Sequence, residues 1–309
     1  MACDTSCQDD IAKMKKAMNQ MLDYYQKTAN RLRIERPADA HDLLSPREVT
    51  GSFQGLIVTY FVFPVWLWRF DETLIRGWPV NISSYRYQRD WHINDVSKVL
   101  ASFSGMDTVN ALGKAMAAAH KKMTILPFFN FDHYPKLPFK PLGLNSAAYP
   151  ATNAAGSAKI VPGVSTDAVV LFSPRLWGQN GRPGSFGYSG PGSDADEVLF
   201  HEMIHGLRLM VGANSAKNTL DNAYDNEEEF IAVVLTNIYM AETGTMTLRQ
   251  DHGGFVPMPQ PRDFLKNPQY QNLLRNFKHK QRGFYNDLAD IDIRKAWWNP
   301  VREFRAAEG

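Results

Sequence analysis

Residues 193–212 read SDADEVLFHEMIHGLRLMVG, the stretch with the clearest helix start, periodicity and end. Ser193 or Asp194 is a suitable helix N-cap, and Gly212 is a typical residue at which a helix stops. Apolar residues recur at helical spacing between these two ends. The sequence therefore predicts a helix over about residues 195–211.

This predicted helix contains an HExxH motif formed by His201, Glu202 and His205. Residues four apart lie on one face of a helix, so the two histidines can present ring nitrogens to one metal ion at about 2.0–2.1 Å. Glu202 projects beside them, where it can take a proton from a water polarised by zinc and pass it to a leaving amine. A chain of this composition would contain the motif by chance roughly 0.007 times. We therefore interpret the motif as a zinc site, the alternative being two histidines on a solvated surface.

A catalytic zinc ion also needs a third protein ligand and an open coordination position. A metzincin would have a histidine six residues after the second motif histidine, but Val211 occupies that position and excludes this class. Further on, YDNEEEFIAVVLTNIYMAE predicts a second helix over about residues 226–241 that begins with Glu227, Glu228 and Glu229. We expect one of these glutamates to be the third ligand. The alternative is that all three only stabilise the helix N-terminus, where the helix dipole favours carboxylates.

The segment HEMIHGLRLMVG resembles the HELIH-type helix of clostridial neurotoxin light chains and of effector zinc metallopeptidases that bacteria inject through secretion systems. In those families the third ligand is the second glutamate of a Glu-Glu pair followed by an apolar residue. The resemblance thus implies Glu229 as the ligand, with Glu228 as the runner-up. The neurotoxin light chains also have an Arg-x-x-Tyr pair that stabilises the oxyanion. The sequence RGFY is similar to it and implies Arg282 and Tyr285 as catalytic residues.

This resemblance covers about residues 193–290 and implies a zinc-dependent endopeptidase of the gluzincin type, with Zn²⁺ as cofactor and a polypeptide as substrate. It also implies a bacterial effector or toxin that acts in a target cell, with a secretion-system component and a cognate immunity protein as partners. The N-terminal sequence MACDTSCQDD lacks the basic and apolar regions of a cleavable signal peptide. We therefore expect secretion by a route that needs no such peptide.

The expected fold is α+β, mainly helical and zincin-like. We assign residues 131–309 to the catalytic domain and residues 1–130 to an N-terminal helical region that serves packing, delivery or targeting. An amphipathic pattern in this region predicts a helix over about residues 7–34.

Two further elements are predicted before the HExxH helix. A helical region covers about residues 93–122, and Asp107 is the expected cap of its second part. The apolar run AVVLF, Ala168–Phe172, is the clearest strand, and we expect it to pair with an extended substrate backbone.

Composition excludes several other classes of protein. The 309 residues include 34 Lys and Arg against 32 Asp and Glu, a net charge of +2 that argues against nucleic-acid binding. Cys3 and Cys7 are the two cysteines, so no wider disulfide framework can form. The apolar run at residues 56–68 is shorter than a membrane span requires, and we interpret it as a buried strand or core helix.

Two other function classes remain open from the sequence. The protein could be a non-catalytic, zinc-stabilised binding or adaptor protein, or a membrane-active toxin that uses residues 56–68 with Trp66 and Trp68. Other residues near the motif receive weaker interpretations. His252 in RQDHGGF is interpreted as a loop residue or a group that lines the site, and Tyr239 as a core residue or an oxyanion donor.

Overall fold

The structure is a computed structural model that describes residues 47–53, 56–62, 71–74, 80–84, 89–126, 146–150, 161–179, 182, 187–215, 217, 219 and 223–308. The strands are β1 (Arg47–Phe53), β2 (Leu56–Val62), β3 (Asp71–Leu74), β4 (Val80–Ser84), β5 (Met123–Leu126), β6 (Ala147–Pro150) and β7 (Ala168–Leu171). The helices are α1 (Arg89–Ser102), α2 (Asp107–Ala118), α3 (Ala195–Met210), α4 (Glu227–Glu242), α5 (Pro268–Lys280), α6 (Arg282–Ala289) and α7 (Pro300–Glu308). The fold is mixed α+β and mainly helical, which confirms that part of the prediction.

The chain divides into two compact units, Met1–Thr50 with Thr59–Pro64 and Gly51–Val58 with Val65–Gly309. Strands β1 and β2 pair with each other in a two-stranded sheet. The second unit contains a larger sheet and all seven helices of the described residues.

A five-stranded sheet with the order β3-β4-β5-β7-β6 supports the second unit. Strands β4, β5 and β7 are parallel, while β3 and β6 run antiparallel to their neighbours. Parallel neighbours need a crossover connection, and helices α1 and α2 provide the one between β4 and β5. In this strand order β7 has a neighbour on each side. Strand β6 is an edge strand within the described part of the chain.

Helix α3 begins and ends as the sequence predicts. The Glu197 carboxylate accepts hydrogen bonds from the backbone N–H groups of Gly192 and Asp194, at 2.9 and 3.1 Å. Gly212, with φ +67°, follows the end of the helix. Within the helix, a Cβ atom on Gly206 would lie 2.4 Å from Met123 Cε, so the missing side chain lets α3 pack closely on β5.

Helix α4 also forms where it is predicted. Its N-cap is Asn226, whose side-chain oxygen accepts a hydrogen bond from the Glu229 backbone N–H at 3.0 Å. Helix α4 packs along α3, and α3 also packs on β6 and β7. The HExxH helix is thus enclosed between a second helix and the sheet.

The start of helix α2 differs from the prediction that Asp107 caps it. The N-cap is Met106, which makes no side-chain capping hydrogen bond. Instead, Glu242 at the end of α4 accepts hydrogen bonds from the backbone N–H groups of Asp107 at 2.5 Å and Thr108 at 2.9 Å. The Asp107 prediction is wrong because a carboxylate far away in the chain, rather than a local one, satisfies these donors.

The N-terminal predictions have mixed outcomes. The helical region at residues 93–122 is confirmed as α1 and α2, but the described residues between 47 and 84 form strands, so this region is not purely helical. The sheet also combines strands from both sides of residue 130, and the division of function at that residue stays a prediction. The helix over residues 7–34, the cysteine pair, Trp66 and Trp68 lie outside the described residues.

The apolar run at residues 56–68 is described over residues 56–62, where it forms strand β2. Among the described residues, every helix is too short or too polar to cross a membrane.

Loss of the Glu242 carboxylate should destabilise the fold. We expect Glu242→Ala to lower the free energy of unfolding by about 1–2 kcal/mol, because two N–H groups at the start of α2 lose their acceptor. Urea denaturation measures the change. Lys114→Ala, which removes only an exposed ion pair with Asp287, is the control and should cost less than about 0.5 kcal/mol. Equal stability of Glu242→Ala and the wild type would contradict the capping role.

The buried Glu197 carboxyl should make stability depend on pH. Burial raises its pKa to about 7 from the ordinary 4.5 of a glutamate, so the folded state binds a proton that the unfolded state releases. The stabilisation is present below pH 4.5 and is lost as pH rises through about 7. We expect Glu197→Gln to remove this loss, which is about 2–3 kcal/mol between pH 5 and pH 8. Urea denaturation of both proteins with a chelator at pH 5 and pH 8 measures it, and parallel pH profiles would refute it.

Candidate metal centre

Helix α3 presents the three motif residues together in the protein interior. The side chains of His201, Glu202 and His205 are all buried. The Nε2 atoms of the two histidines lie 3.0 Å apart, and their rings meet edge to face with centroids 4.7 Å apart. One turn of helix therefore aims both ring nitrogens at a common point, as the spacing predicts.

The three glutamates at the start of α4 have three different environments. Glu229 Oε2 lies 3.3 Å from His201 Nε2 and 3.2 Å from His205 Nε2. Glu228 lies behind the cluster, with Oε1 3.3 Å from His205 Nδ1. Glu227 pairs with Lys280 at 2.9 Å and accepts a hydrogen bond from the Ser215 hydroxyl at 3.1 Å. Among these three, the structure brings Glu229 to the histidine pair, in agreement with its predicted place.

Arg208 fixes the position of Glu228. Its guanidinium is fully buried and donates from Nε to both Glu228 oxygens, at 2.9 and 2.8 Å. The other guanidinium nitrogens donate to Gln281 Oε1 at 2.8 Å and to the Ala213 carbonyl at 2.9 Å. A carboxylate held in this way and bonded to the outer nitrogen of a histidine fixes the tautomer and orientation of that ring. Glu228 is thus placed to orient His205, so that Nε2 faces the cluster.

A third histidine reaches the cluster from a loop. His252 Nε2 lies 3.2 Å from Glu229 Oε2, and its ring stacks on that of His201 with centroids 6.0 Å apart. Its Nδ1 atom lies 2.7 Å from Asp225 Oδ2. His252 is a loop residue, as one of the two sequence interpretations has it, but the loop places it in the site.

Arg249 builds the loop that carries His252. Its guanidinium donates to the Asp251 carbonyl at 2.6 Å and to the His252 carbonyl, and it stacks over the Phe255 ring at 4.2 Å. The Asp251 side chain closes the turn by accepting backbone hydrogen bonds from Gly254 and Val256, each at 3.1 Å. Sequence reasoning missed the role of Arg249; the run RQDHGGF was the signal that could have drawn attention to it.

The donor atoms of this cluster fit a metal ion. In a tetrahedral site with bonds of about 2.0–2.1 Å, neighbouring donor atoms are about 3.3 Å apart, and the Glu229 oxygen lies 3.2–3.3 Å from three imidazole nitrogens. These contacts lack hydrogen-bond geometry, so Glu229 Oε2 is buried without a hydrogen-bond partner among the described residues. His201, Glu229 and His252 are also recognisable as a group whose donor atoms could hold a metal. Two or three imidazoles and one carboxylate are a donor set that Zn²⁺ accepts.

The charges of the cluster are strongly coupled. Burial lowers the pKa of His201 to about 3. For Glu229, burial opposes ionisation, but His205 and His201 outweigh it and hold its pKa far below the ordinary value. The pKa of His205 is raised despite burial, because the carboxylates of Glu229 and Glu228 face it. The cluster thus requires positive charge between its carboxylates, and metal binding would supply that charge with release of a proton.

Glu202 occupies a separate position beside the ligand cluster. Burial raises its pKa to about 7, while the backbone N–H of Ala148 in strand β6 acts in the opposite direction and favours the carboxylate. A carboxylate in this environment is suited to accept and release a proton near neutral pH. Strand β6 therefore lies next to the predicted general base.

The predicted substrate-binding strand lies inside the sheet. Strand β7, which contains most of Ala168–Phe172, is hydrogen-bonded to β5 on one side and β6 on the other. Both of its edges are occupied, so the prediction that it pairs with a substrate is wrong. The sheet edge next to Glu202 is β6.

The structure does not bring Arg282 and Tyr285 to the histidine cluster. Tyr285 is fully buried and donates a hydrogen bond to the Val301 carbonyl at 3.3 Å, while Arg282 is exposed at the start of α6. Tyr239 also belongs to the core, where its hydroxyl donates to Asp196 at 2.6 Å. The hydroxyls of Tyr285 and Tyr239 thus have hydrogen-bond partners outside the histidine cluster, and the oxyanion role of Arg282 and Tyr285 stays a prediction.

In comparisons with known proteins, no family model, curated protein or solved structure matches this chain. Interpretation of the centre therefore depends on its own geometry and on the motifs that resemble those of zinc peptidases.

The orienting role of Glu228 can be tested through metal affinity. We expect Glu228→Gln to weaken zinc binding about 10–100-fold, because His205 loses the carboxylate that fixes its ring. Competition with a chromogenic chelator measures the affinity. The matched control is Glu227→Gln on the same turn of helix, which contacts Lys280 and Ser215 instead of a histidine and should retain wild-type affinity. Equal losses in both variants would show that the effect is structural.

Proposed function

We propose that this protein is a zinc-dependent endopeptidase. The observation that supports it best is the convergence of His201, His205 and Glu229 on one point. Glu202 lies next to the two histidines on helix α3. Two imidazoles and a carboxylate make up the protein ligands of one class of catalytic zinc sites, and a free carboxylate beside them supplies acid–base chemistry.

The proposed reaction divides the work between the metal and the protein. Zinc bound by His201, His205 and Glu229 would polarise the scissile carbonyl and acidify water. Glu202 accepts a proton from the attacking water while the water oxygen bonds to the carbonyl carbon. The same carboxyl then delivers that proton to the amide nitrogen as the C–N bond breaks, so that a carboxylic acid and an amine leave.

Strand β6 is the proposed docking edge for the substrate. An extended polypeptide can add to a sheet edge through main-chain hydrogen bonds. Because the HExxH helix packs on β6 and the Ala148 N–H influences the pKa of Glu202, a peptide aligned along β6 would have its backbone near the general base. This arrangement supports an endopeptidase, since an edge strand accepts a segment from the interior of a chain.

A zincin-like class for residues 131–309 is part of the same proposal. Its support is the HExxH helix packed on the antiparallel edge strand β6, and a second helix that brings the glutamate; the sheet itself also takes strands from before residue 131. The setting follows from the resemblance of the motifs alone: we propose a bacterial effector, secreted without a cleavable signal, that acts on a protein of a target cell.

One observation favours a second candidate function. Three histidines and a glutamate converge in this centre, and four protein donors are typical of a structural zinc site. The alternative is therefore a binding or adaptor protein in which zinc only stabilises the fold. Loss of Glu202 separates the two functions, since Glu202 is a neighbour of the ligand cluster and not one of its donors.

Glu202→Gln should abolish peptide hydrolysis and leave zinc binding intact. We expect the rate to fall about 10²–10⁴-fold, because the amide cannot accept the proton of the attacking water. Zinc-loaded wild type and variant are incubated with a whole bacterial or eukaryotic proteome, and new protein N-termini are identified by mass spectrometry. Metal analysis of the same samples measures zinc content.

The control is Glu308→Gln, which removes a carboxylate at the end of α7 that pairs with Arg275 and Lys278. It should produce the wild-type set of new N-termini. If zinc-loaded wild type and Glu202→Gln gave the same N-termini, the proposed enzyme would be excluded and the structural role of zinc supported.

A further inference from the structure

His252 matches the motif histidines in its distance to the shared carboxylate. Its Nε2 atom is 3.2 Å from Glu229 Oε2, against 3.3 Å for His201 and 3.2 Å for His205. Neighbouring donor atoms around a tetrahedral zinc ion are separated by about this distance. The contacts thus give His252 the position of a donor atom in the centre.

The other ring nitrogen of His252 is also held as in a metal ligand. Histidine ligands generally donate their outer N–H to a carboxylate, which directs the free nitrogen to the metal. His252 Nδ1 is 2.7 Å from Asp225, as His205 Nδ1 is 3.3 Å from Glu228. Asp225 directly precedes Asn226, the N-cap of α4, so one turn of chain positions both the His252 partner and Glu229.

Hydrogen bonds hold the backbone around His252 in a defined conformation. Its N–H donates to the Ala223 carbonyl at 2.9 Å, and its own carbonyl accepts from the buried Arg249 guanidinium. The loop is also closed by Gln250 N–H donating to the Val256 carbonyl at 2.7 Å. These hydrogen bonds fix the main chain at His252, so that the residue can move mainly by rotation about its side-chain torsions.

His252 differs from the other donors in exposure. Its side chain is 33% exposed and that of Asp225 is 71% exposed, whereas His201 and His205 are 7% and 11% exposed on a helix in the core. Rotation of His252 away from the centre would therefore move no core residue. Among the four donors, it is the one that can withdraw at low cost.

We propose that His252 is a fourth protein ligand that closes the metal centre in the resting protein and withdraws when a substrate carbonyl enters. This inference rests on the proposed function, since it concerns the metal that His201, His205 and Glu229 would hold. It reconciles four convergent protein donors with a catalytic centre, which needs one exchangeable position. The Asp225–His252 pair is then the gate of the site.

The test measures metal coordination rather than hydrolysis. Full-length wild type, His252→Ala, Asp225→Asn and His205→Ala are titrated with Zn²⁺ against a chelator, and the Co²⁺-loaded proteins are compared by visible absorption. We expect His252→Ala to bind one zinc ion about 100-fold more weakly and Asp225→Asn about 10-fold more weakly. We expect His205→Ala to lose stoichiometric binding. The cobalt spectrum of His252→Ala should differ from that of the wild type, because water replaces an imidazole.

The control is His279→Ala, which removes an exposed histidine of α5 and should leave affinity and spectrum unchanged. Thermal unfolding of the metal-free proteins checks that His252→Ala and Asp225→Asn fold alike. Wild-type affinity together with a wild-type cobalt spectrum in His252→Ala would overturn the proposal. If His252→Ala fails to fold, an unchanged affinity and spectrum in Asp225→Asn decide against it.

Failure of this inference and failure of the proposed function give different results. If wild type cleaves proteins in a Glu202-dependent manner while His252→Ala has unchanged metal binding, only the role of His252 is lost. If His252→Ala weakens metal binding while wild type and Glu202→Gln give the same N-termini, His252 is a permanent ligand of a structural zinc, and both the gating role and the enzyme are lost. If wild type binds no zinc, both proposals fail together.

Discussion

Helices α3 and α4 pack closely against each other and bury several ionisable side chains between them. This contact buries His201, Glu202 and His205 from one helix together with Glu227 and Glu228 from the other. A buried charge is costly unless it is paired or binds a metal. The arrangement is therefore stable only if each carboxylate has a cationic or hydrogen-bonding partner, and the surrounding chain supplies one to each glutamate.

Those partners come from distant parts of the sequence. Arg208 and Ser215 hold Glu228, and Lys280 holds Glu227. Arg249 holds the loop that brings His252 to Glu229. A backbone N–H at the edge of the sheet favours the Glu202 carboxylate. The loop, the junction between α5 and α6 and the edge strand thus each contact a group that the helix pair buries.

The sheet positions the helix pair and presents an edge strand, β6, beside it. Gly206 brings α3 so close to the sheet that a Cβ atom there would have to displace the end of the Met123 side chain. With α3 placed under β5 and β7, the antiparallel strand β6 becomes the edge beside Glu202. The prediction that Ala168–Phe172 binds substrate failed for this reason. A strong apolar run predicts a buried strand, and a strand buried in the centre of a sheet has no edge to offer.

Local patterns in the sequence determined helix α3, its cap, its end at Gly212, helix α4 and the juxtaposition of His201 with His205, because each depends on contacts within a few residues. They could not determine which carboxylate caps α2, that β6 is the edge, that Tyr285 is buried, or that Arg249 and His252 belong to the site. Each of these depends on contacts between residues far apart in the chain, and only the tertiary structure fixes such distances. The motif thus predicted a metal site on one helix, while the tertiary structure decided which side chains surround the motif.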